Sequence, residues 1–149
     1  MQTFVPYNNF QNIVECLDYR RLGKMRVESR QLYNAITGVT INGRLSQWRH
    51  HSVALAWKGC EDALMMYSNY CILEWVRRGH NNTMPIHPIG IDVSTVKLPF
   101  WWNGEVHSVH RAVLLGKNYD WYKQFEWLES PNPNDWWKQN RKLITVMLS

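Results

Sequence analysis

The strongest constraint on the fold is a regular apolar repeat in the middle of the chain. Apolar residues recur in steps of three or four at Val53, Trp57, Cys60, Leu64, Tyr67, Cys71 and Trp75. This spacing places their side chains on one face of an α-helix. The following Arg77, Arg78 and Gly79 are typical of a helix end, because cations complement the carboxyl terminus and glycine adopts the left-handed cap conformation. The sequence therefore predicts one long helix with a buried face.

Two further helices are predicted near the N-terminus. Asn8 or Asn9 can cap the first, because a short side-chain acceptor satisfies free backbone donors at a helix start. Its apolar positions follow helical spacing at Phe10, Ile13, Val14 and Leu17. Asp18 and Gly23 are expected to flank a break or kink, and a second helix is expected to continue to about Ile36, where Thr37 and Gly38 stop it. The N-terminal part of the chain should therefore be largely helical.

Two loops are predicted between the helices. Residues 38–47 should form a loop or short hairpin, since Asn42 and Gly43 are a strong turn signal. Residues 80–105 contain three of the six prolines and show little periodicity, which indicates an ordered but irregular segment.

Helical patterns return in the last third of the chain. They are expected at 106–115, at 120–128 and at 136–148, with a proline-containing linker between the last two. The predicted fold class is all-α, a single compact domain of packed helices with irregular connecting loops. The domain is expected to cover 1–149, and residues 131–149 could form an appended C-terminal helix.

The composition favours an anionic partner. The chain has 149 residues and a net charge of +5, and its nine tryptophans include candidates for surface stacking against bases. Three cysteines at unrelated spacings are expected to be buried thiols, with no disulfide framework and no zinc site. No apolar run reaches membrane-spanning length and no secretory signal is present, so we expect a soluble, cytoplasmic protein without membrane contact.

One face of the second helix carries a single carboxylate among polar and cationic residues. Arg21, Lys24, Glu28 and Gln31 are aligned at helical spacing. The stripe could be a solvated face, with a Lys24–Glu28 pair contributing only a few tenths of a kcal/mol. It could also face phosphates, with the cations holding the backbone while the acid acts at the sugar.

The histidines form a second group of candidate site residues. His107 and His110 lie one helical turn apart and could ligate a metal, but the helix offers no third ligand at the usual position. We prefer phosphate or base contact by His51, His107, His110 and Arg111. Neutral core histidines remain an alternative.

Five segments together resemble a known family. They are MQTFVPY, LDYRRLGKMRVESRQL, WRHHSVALAW, ILEWVRRGHNNT and VHSVHRAVLLGK. In order and spacing they resemble the pyrimidine-dimer DNA glycosylases of the endonuclease V type, found in phages and bacteria, over most of residues 1–127. The resemblance implies an all-α fold, an N-terminal segment beside a helix with a catalytic glutamate, and no metal or other cofactor.

The resemblance also implies roles for particular residues. Its arginine–glutamate pair matches Arg26 and Glu28, whereas Glu15, the competing acid, has apolar neighbours and no cations. The family mechanism uses an α-amine, which attacks C1′ of the deoxyribose to form a Schiff base, and a glutamate that helps remove a C2′ proton. Relatives expose a small second residue, but here Gln2 follows, so the amine would be that of Met1.

The expected partner is double-stranded DNA, bound by a monomer. The segment NYDWYKQF resembles a DNA-gripping edge, and Trp101 and Trp102 could fill the gap left by a displaced base. Alternatives are a non-catalytic DNA-binding protein, a glycosylase for another base, and a metal-dependent nuclease using His51, His107 and His110. The predicted DNA contacts are Arg21, Lys24, Arg26, Gln31, His50, His51, His107, His110, Arg111, Lys117, Trp121 and Lys123.

Overall fold

The predicted all-α fold is confirmed. The computed structural model describes residues 2–88 and 95–148, and in that part the only β-pairing is an isolated bridge. The helices are α1 (Phe10–Cys16), α2 (Tyr19–Thr37), α3 (Ser52–Trp57), α4 (Glu61–Arg77), α5 (Gly104–Lys117), α6 (Tyr119–Tyr122), α7 (Trp136–Gln139) and α8 (Arg141–Leu148). Within the described ranges, no helix combines the length and apolar character needed to cross a membrane.

The ends of α1 and α2 follow the predicted signals. The Asn9 side chain accepts a 2.9 Å hydrogen bond from the Asn12 N–H and so caps α1. Gly38 ends α2 in the left-handed region, at φ 76°, and its N–H donates to the Asn34 carbonyl. Both ends are therefore determined by local chemistry.

The predicted break is present at Asp18, the residue before α2, but absent at Gly23, because α2 runs through Gly23 without interruption. A Cβ atom at Gly23 would lie 3.1 Å from ring carbons of Trp75 on α4. The glycine therefore allows the Trp75 ring to pack close against the backbone of α2.

The predicted long helix is divided into α3 and α4. A turn at residues 58–60 separates them, and Gly59 in this turn has a φ of 89°. The apolar stripe is nevertheless buried as far as Cys71, because the two helices pack against the same core. Periodicity identified the buried face correctly and missed the change of direction.

The loops and later helices agree with the predictions in part. Asn42 and Gly43 form the expected turn, both at positive φ, and Ile41 pairs with Arg44 across it. The predicted helix at 120–128 is wrong: α6 ends at Tyr122 and a 3-10 turn follows. The predicted helix at 136–148 is present as two pieces, α7 and α8.

A tryptophan cluster joins the C-terminal helices to the core. Trp57, Trp101 and Trp137 are fully buried, and their rings pack edge to face at centroid distances of 5.0 and 4.6 Å. The Trp101 indole N–H donates to the Ala56 carbonyl at 2.8 Å, so this residue is a core residue and cannot fill a gap in DNA. The three cysteines are buried and free, as predicted.

We predict that Trp137→Ala lowers the free energy of unfolding by about 3–5 kcal/mol, because it leaves a cavity beside Trp101. Urea unfolding of the two proteins measures the difference. Trp48→Ala is the control: this ring is 37% exposed, and its removal should cost less than about 1 kcal/mol. Equal losses in the two variants would contradict the packing role of Trp137.

Candidate active site

The site begins with a short segment outside regular secondary structure, residues 3–6, which is buried between helices. The Thr3 hydroxyl accepts a 2.8 Å hydrogen bond from the Trp57 indole N–H. The Tyr67 hydroxyl donates to the Phe4 carbonyl, also at 2.8 Å. Helices α3 and α4 thus each supply one side chain that holds the segment.

Two histidines of α5 bind the polar groups of a single residue, Val5. Its N–H donates to Nδ1 of His110 at 2.8 Å. Its carbonyl lies 2.6 Å from Nδ1 of His107, which must donate because a carbonyl oxygen only accepts. Nδ1 is therefore an acceptor in His110 and a donor in His107.

Arg111 continues the same network. Its Nη1 donates to the Pro6 carbonyl at 2.8 Å, while Nε and Nη2 donate to Glu129 at 3.0 and 2.8 Å. Since the Glu129 carboxylate compensates its charge, this guanidinium is engaged within the protein.

The predicted DNA contacts of His107 and His110 are therefore corrected, whereas the DNA contact of Arg111, whose side chain is 23% exposed, stays a prediction. His110 is fully buried and His107 is 5% exposed, and all three side chains bind the backbone of residues 5 and 6. The physical reason is that buried backbone groups outside a helix or sheet need other partners. For the two histidines, the core alternative left open by the sequence is the correct one.

The residue before this buried segment contacts the predicted acid. The backbone N–H of Gln2 lies 3.4 Å from Oε2 of Glu28, which is half-buried on α2. Burial raises the pKa of Glu28, while the Gln2 N–H and the Lys24 ammonium act in the opposite direction. The structure thus brings Glu28 to the start of the chain. Met1 itself lies outside the described residues.

Glu28 lies in an open groove of about 510 Å³, which we call the α2 groove. Its cationic lining comes from Arg20, Lys24 and Arg26, and Gln31 lines one end. The Arg26 guanidinium donates to the Asn82 amide oxygen at 2.6 Å and lies 4.9 Å from the centre of the Trp75 ring. Arg26 therefore has a constrained orientation, whereas Lys24 is exposed.

Arg21 does not lie with Lys24, Glu28 and Gln31, contrary to the prediction from the sequence. It pairs with Asp18 at 3.4 Å and is not among the groove residues. Asp18 lies one helical turn before Arg21, which was a visible signal for this i, i+3 pair. Arg20, which the sequence analysis missed, lines the groove instead.

A second groove, which we call the C-terminal groove, has a volume of about 920 Å³ and shares Gln31 with the first. The predicted residues His50 and His51 line it. Arg44, Lys138 and Arg141 also line it and were missed, because they are distant in sequence and follow no common pattern.

The remaining predicted contacts lie outside both grooves. Lys117 and Lys123 are exposed, and Lys123 lies 3.9 Å from the Asp120 carboxylate. The Trp121 indole donates to the Cys16 carbonyl. The competing acid Glu15 is exposed on α1, where it accepts a hydrogen bond from the Gln11 side chain.

No group of three or more histidine, cysteine, aspartate or glutamate side chains could hold a metal ion within residues 2–88 and 95–148. In particular, His51 does not form such a group with His107 and His110. His51 accepts a long hydrogen bond, 3.4 Å, from the Val53 N–H at the start of α3.

A helical protein with an acid in a cation-lined groove is suited to a polyanionic substrate. The family model of pyrimidine dimer DNA glycosylases matches residues 1–88, more than half of the chain, and the chain belongs to that family. Membership supports DNA glycosylase activity and DNA as the substrate. No curated protein and no solved structure gives a significant match. The matched range ends before the C-terminal helices.

We predict that acid destabilises the protein through His110. Burial lowers its pKa from the usual 6.5 to about 3, so below pH 6.5 the unfolded chain binds a proton that the folded protein excludes. The free energy of unfolding should therefore fall as the pH drops from about 6.5 to 3, by up to about 1.4 kcal/mol per pH unit from this residue. Urea unfolding at several pH values measures the slope.

The matched variants are His110→Asn and His50→Asn. An asparagine oxygen can still accept a hydrogen bond from the Val5 N–H, but an asparagine does not titrate. His110→Asn should therefore remove about one bound proton from the difference between the unfolded and folded states, which makes the dependence of the free energy of unfolding on pH shallower. His50 is exposed and serves as the comparison, and His110→Asn should change the slope more than His50→Asn does. An unchanged slope in His110→Asn would contradict the buried neutral imidazole.

Proposed function

We propose that this chain is a metal-independent DNA glycosylase with AP-lyase activity, which acts on damaged or modified pyrimidines in duplex DNA as a monomer. The α-amine of Met1 is the nucleophile, and Glu28 is the acid–base group. The observation that carries the proposal is the 3.4 Å contact between the Gln2 N–H and the Glu28 carboxylate within a cation-lined groove.

The position of Gln2 supports the pairing of Met1 with Glu28. The backbone N–H that contacts the Glu28 carboxylate belongs to Gln2, which is the residue next to Met1 in the sequence. The proposal therefore takes its nucleophile from the residue that precedes this contact.

In the first step, the Met1 amine displaces the base from C1′ of the deoxyribose. The neutral amine adds its lone pair to C1′ as the C1′–N bond breaks, and the bonding pair leaves with the base, which is protonated. The nitrogen then loses a proton while the C1′–O4′ bond opens and O4′ is protonated, which leaves a Schiff base. An α-amine suits this step because its ordinary pKa of about 7.7–8.0 leaves a neutral fraction at pH 7.

Glu28 assists both the release of the base and the cleavage of the strand. As a carboxylate it stabilises the positive charge that develops on the sugar when the base departs. It then accepts the C2′ proton, the C3′–O bond breaks, and the phosphate leaves by β-elimination. Burial raises the pKa of Glu28 above its ordinary value, which strengthens the carboxylate as a base.

The α2 groove supplies binding energy that offsets the cost of a strained DNA conformation. Reaching C1′ requires a nucleotide to unstack, which costs a few kcal/mol and is easiest at damaged pairs. Arg20, Lys24 and Arg26 line the groove around the acid and can contact the adjacent phosphates. A panel of duplexes with a cyclobutane dimer, an abasic site, uracil or a modified pyrimidine, without added metal, identifies the target.

We predict that borohydride traps a covalent adduct between the protein and a duplex with an abasic site. Because the imine forms at the α-amine, mass spectrometry of the digested adduct should place the DNA on the N-terminal tryptic peptide, residues 1–20. Protein acetylated at its α-amine is the control and should give no adduct. An adduct on a lysine, or none at high protein concentration, would contradict the proposal.

We predict that Glu28→Gln slows strand cleavage at an abasic site by about 100-fold or more, because the amide cannot accept the C2′ proton. DNA affinity should stay within a few fold, since the groove cations are unchanged. Glu15→Gln is the matched control: it makes the same change at an exposed acid and should cleave normally. Full activity of Glu28→Gln would mean that another group is the base.

A further inference from the structure

The C-terminal groove brings together parts of the chain that are far apart in sequence. Its lining includes Gln31 of α2, Arg44 after the turn and the histidines before α3. Lys138 of α7 and Arg141 of α8 line it as well. The groove therefore exists only because the C-terminal helices pack against α3.

Its charge is strongly positive. Arg44, Lys138 and Arg141 contribute three cations, against one acid, Asp135. The Asp135 carboxylate accepts from the Lys138 N–H at 3.1 Å, so it serves as the cap of α7. Arg141 donates through Nη1 to the Ser52 hydroxyl at 2.9 Å and retains further donors for another partner.

The groove also has an apolar wall. The Trp48 ring is 37% exposed and packs edge to face against His51, with 5.3 Å between the ring centres. Cations beside an exposed indole suit a ligand that alternates phosphate groups with apolar sugar or base faces. A simple anion has no apolar face that could pack against the indole.

The groove is continuous with the candidate active site. Gln31 lines both grooves, and it follows Glu28 by three residues, which is less than one helical turn, or about 4.5 Å along α2. A strand whose sugar lies against Glu28 can therefore continue directly into the C-terminal groove.

We propose that the C-terminal groove binds the sugar–phosphate backbone of the DNA next to the nucleotide that faces Glu28. The segment at residues 131–148, which lies outside the family match, then completes the DNA interface on one side of the site. This assignment rests on the proposed function for its substrate.

The salt dependence of binding to an undamaged duplex tests the groove. Fluorescence anisotropy is measured over a range of salt concentrations for the wild type, for Arg44→Gln, Lys138→Gln and Arg141→Gln, and for the triple variant. Each lost phosphate contact should reduce the slope of log K against log salt by about 0.9, and the triple variant should lose about 2.7. A triple variant with the wild-type slope would overturn the proposal.

Lys142→Gln is the matched control. This exposed lysine is next to Arg141 on the same helix but does not line the groove, so its replacement should leave the slope unchanged. An equal reduction in Lys142→Gln would overturn the proposal, because the effect would then reflect net charge alone. Arg44→Gln and Lys138→Gln remain informative if the loss of the Ser52 contact unfolds Arg141→Gln.

Two further measurements test separately whether the groove binds DNA and whether the protein cleaves DNA. If the triple variant weakens binding to an RNA duplex of the same sequence but not to DNA, the assignment to DNA is overturned. Cleavage of an abasic duplex by the wild type is scored independently. If the wild type does not cleave but the slopes change as predicted, the proposed function is wrong and the assignment of the C-terminal groove stands. If the wild type cleaves normally but the slopes of the variants equal that of the wild type, the assignment of the groove is wrong and the proposed function stands.

Discussion

The structure depends on how the buried segment at residues 3–6 satisfies its backbone. Among residues 2–88 and 95–148 no strand pairs with this segment, and an unpaired buried backbone group costs about 1–3 kcal/mol. Side chains of α3, α4 and α5 supply the missing partners, and His107 and His110 together bind both polar groups of Val5. Because this segment is held from three helices, Gln2 is directed at Glu28, and the start of the chain becomes part of the site.

The two grooves divide the handling of DNA between them in our proposal. The α2 groove places one half-buried carboxylate among cations, an environment in which burial and charge act in opposite directions on its pKa. The C-terminal groove holds cations without a catalytic acid, and its single carboxylate, Asp135, caps α7. The α2 groove is therefore assigned both the chemistry and contacts to the adjacent phosphates, whereas the C-terminal groove is assigned backbone binding alone, and the two grooves meet at Gln31.

Predictions from the sequence succeeded where a short segment determines the outcome. The cap at Asn9 and the left-handed end at Gly38 are local, and both were identified from residue type. Predictions failed where a distant partner determined the role. Gly23 was interpreted as a break because Trp75, more than 50 residues later, could not be placed against it. His110 was assigned to DNA because nothing in its own helix indicates that it binds Val5.

The sequence by itself determined the helical class, the buried faces, the family over residues 1–88 and the choice of Glu28 as the candidate acid. These depend on periodicity and on motifs, which are properties of short stretches. Only the tertiary structure decided which cations surround that acid, that two histidines are internal, and that the C-terminal helices help form a basic groove. The reason is that each of these features joins residues from separate helices, and the packing of those helices depends on the shape of the whole core.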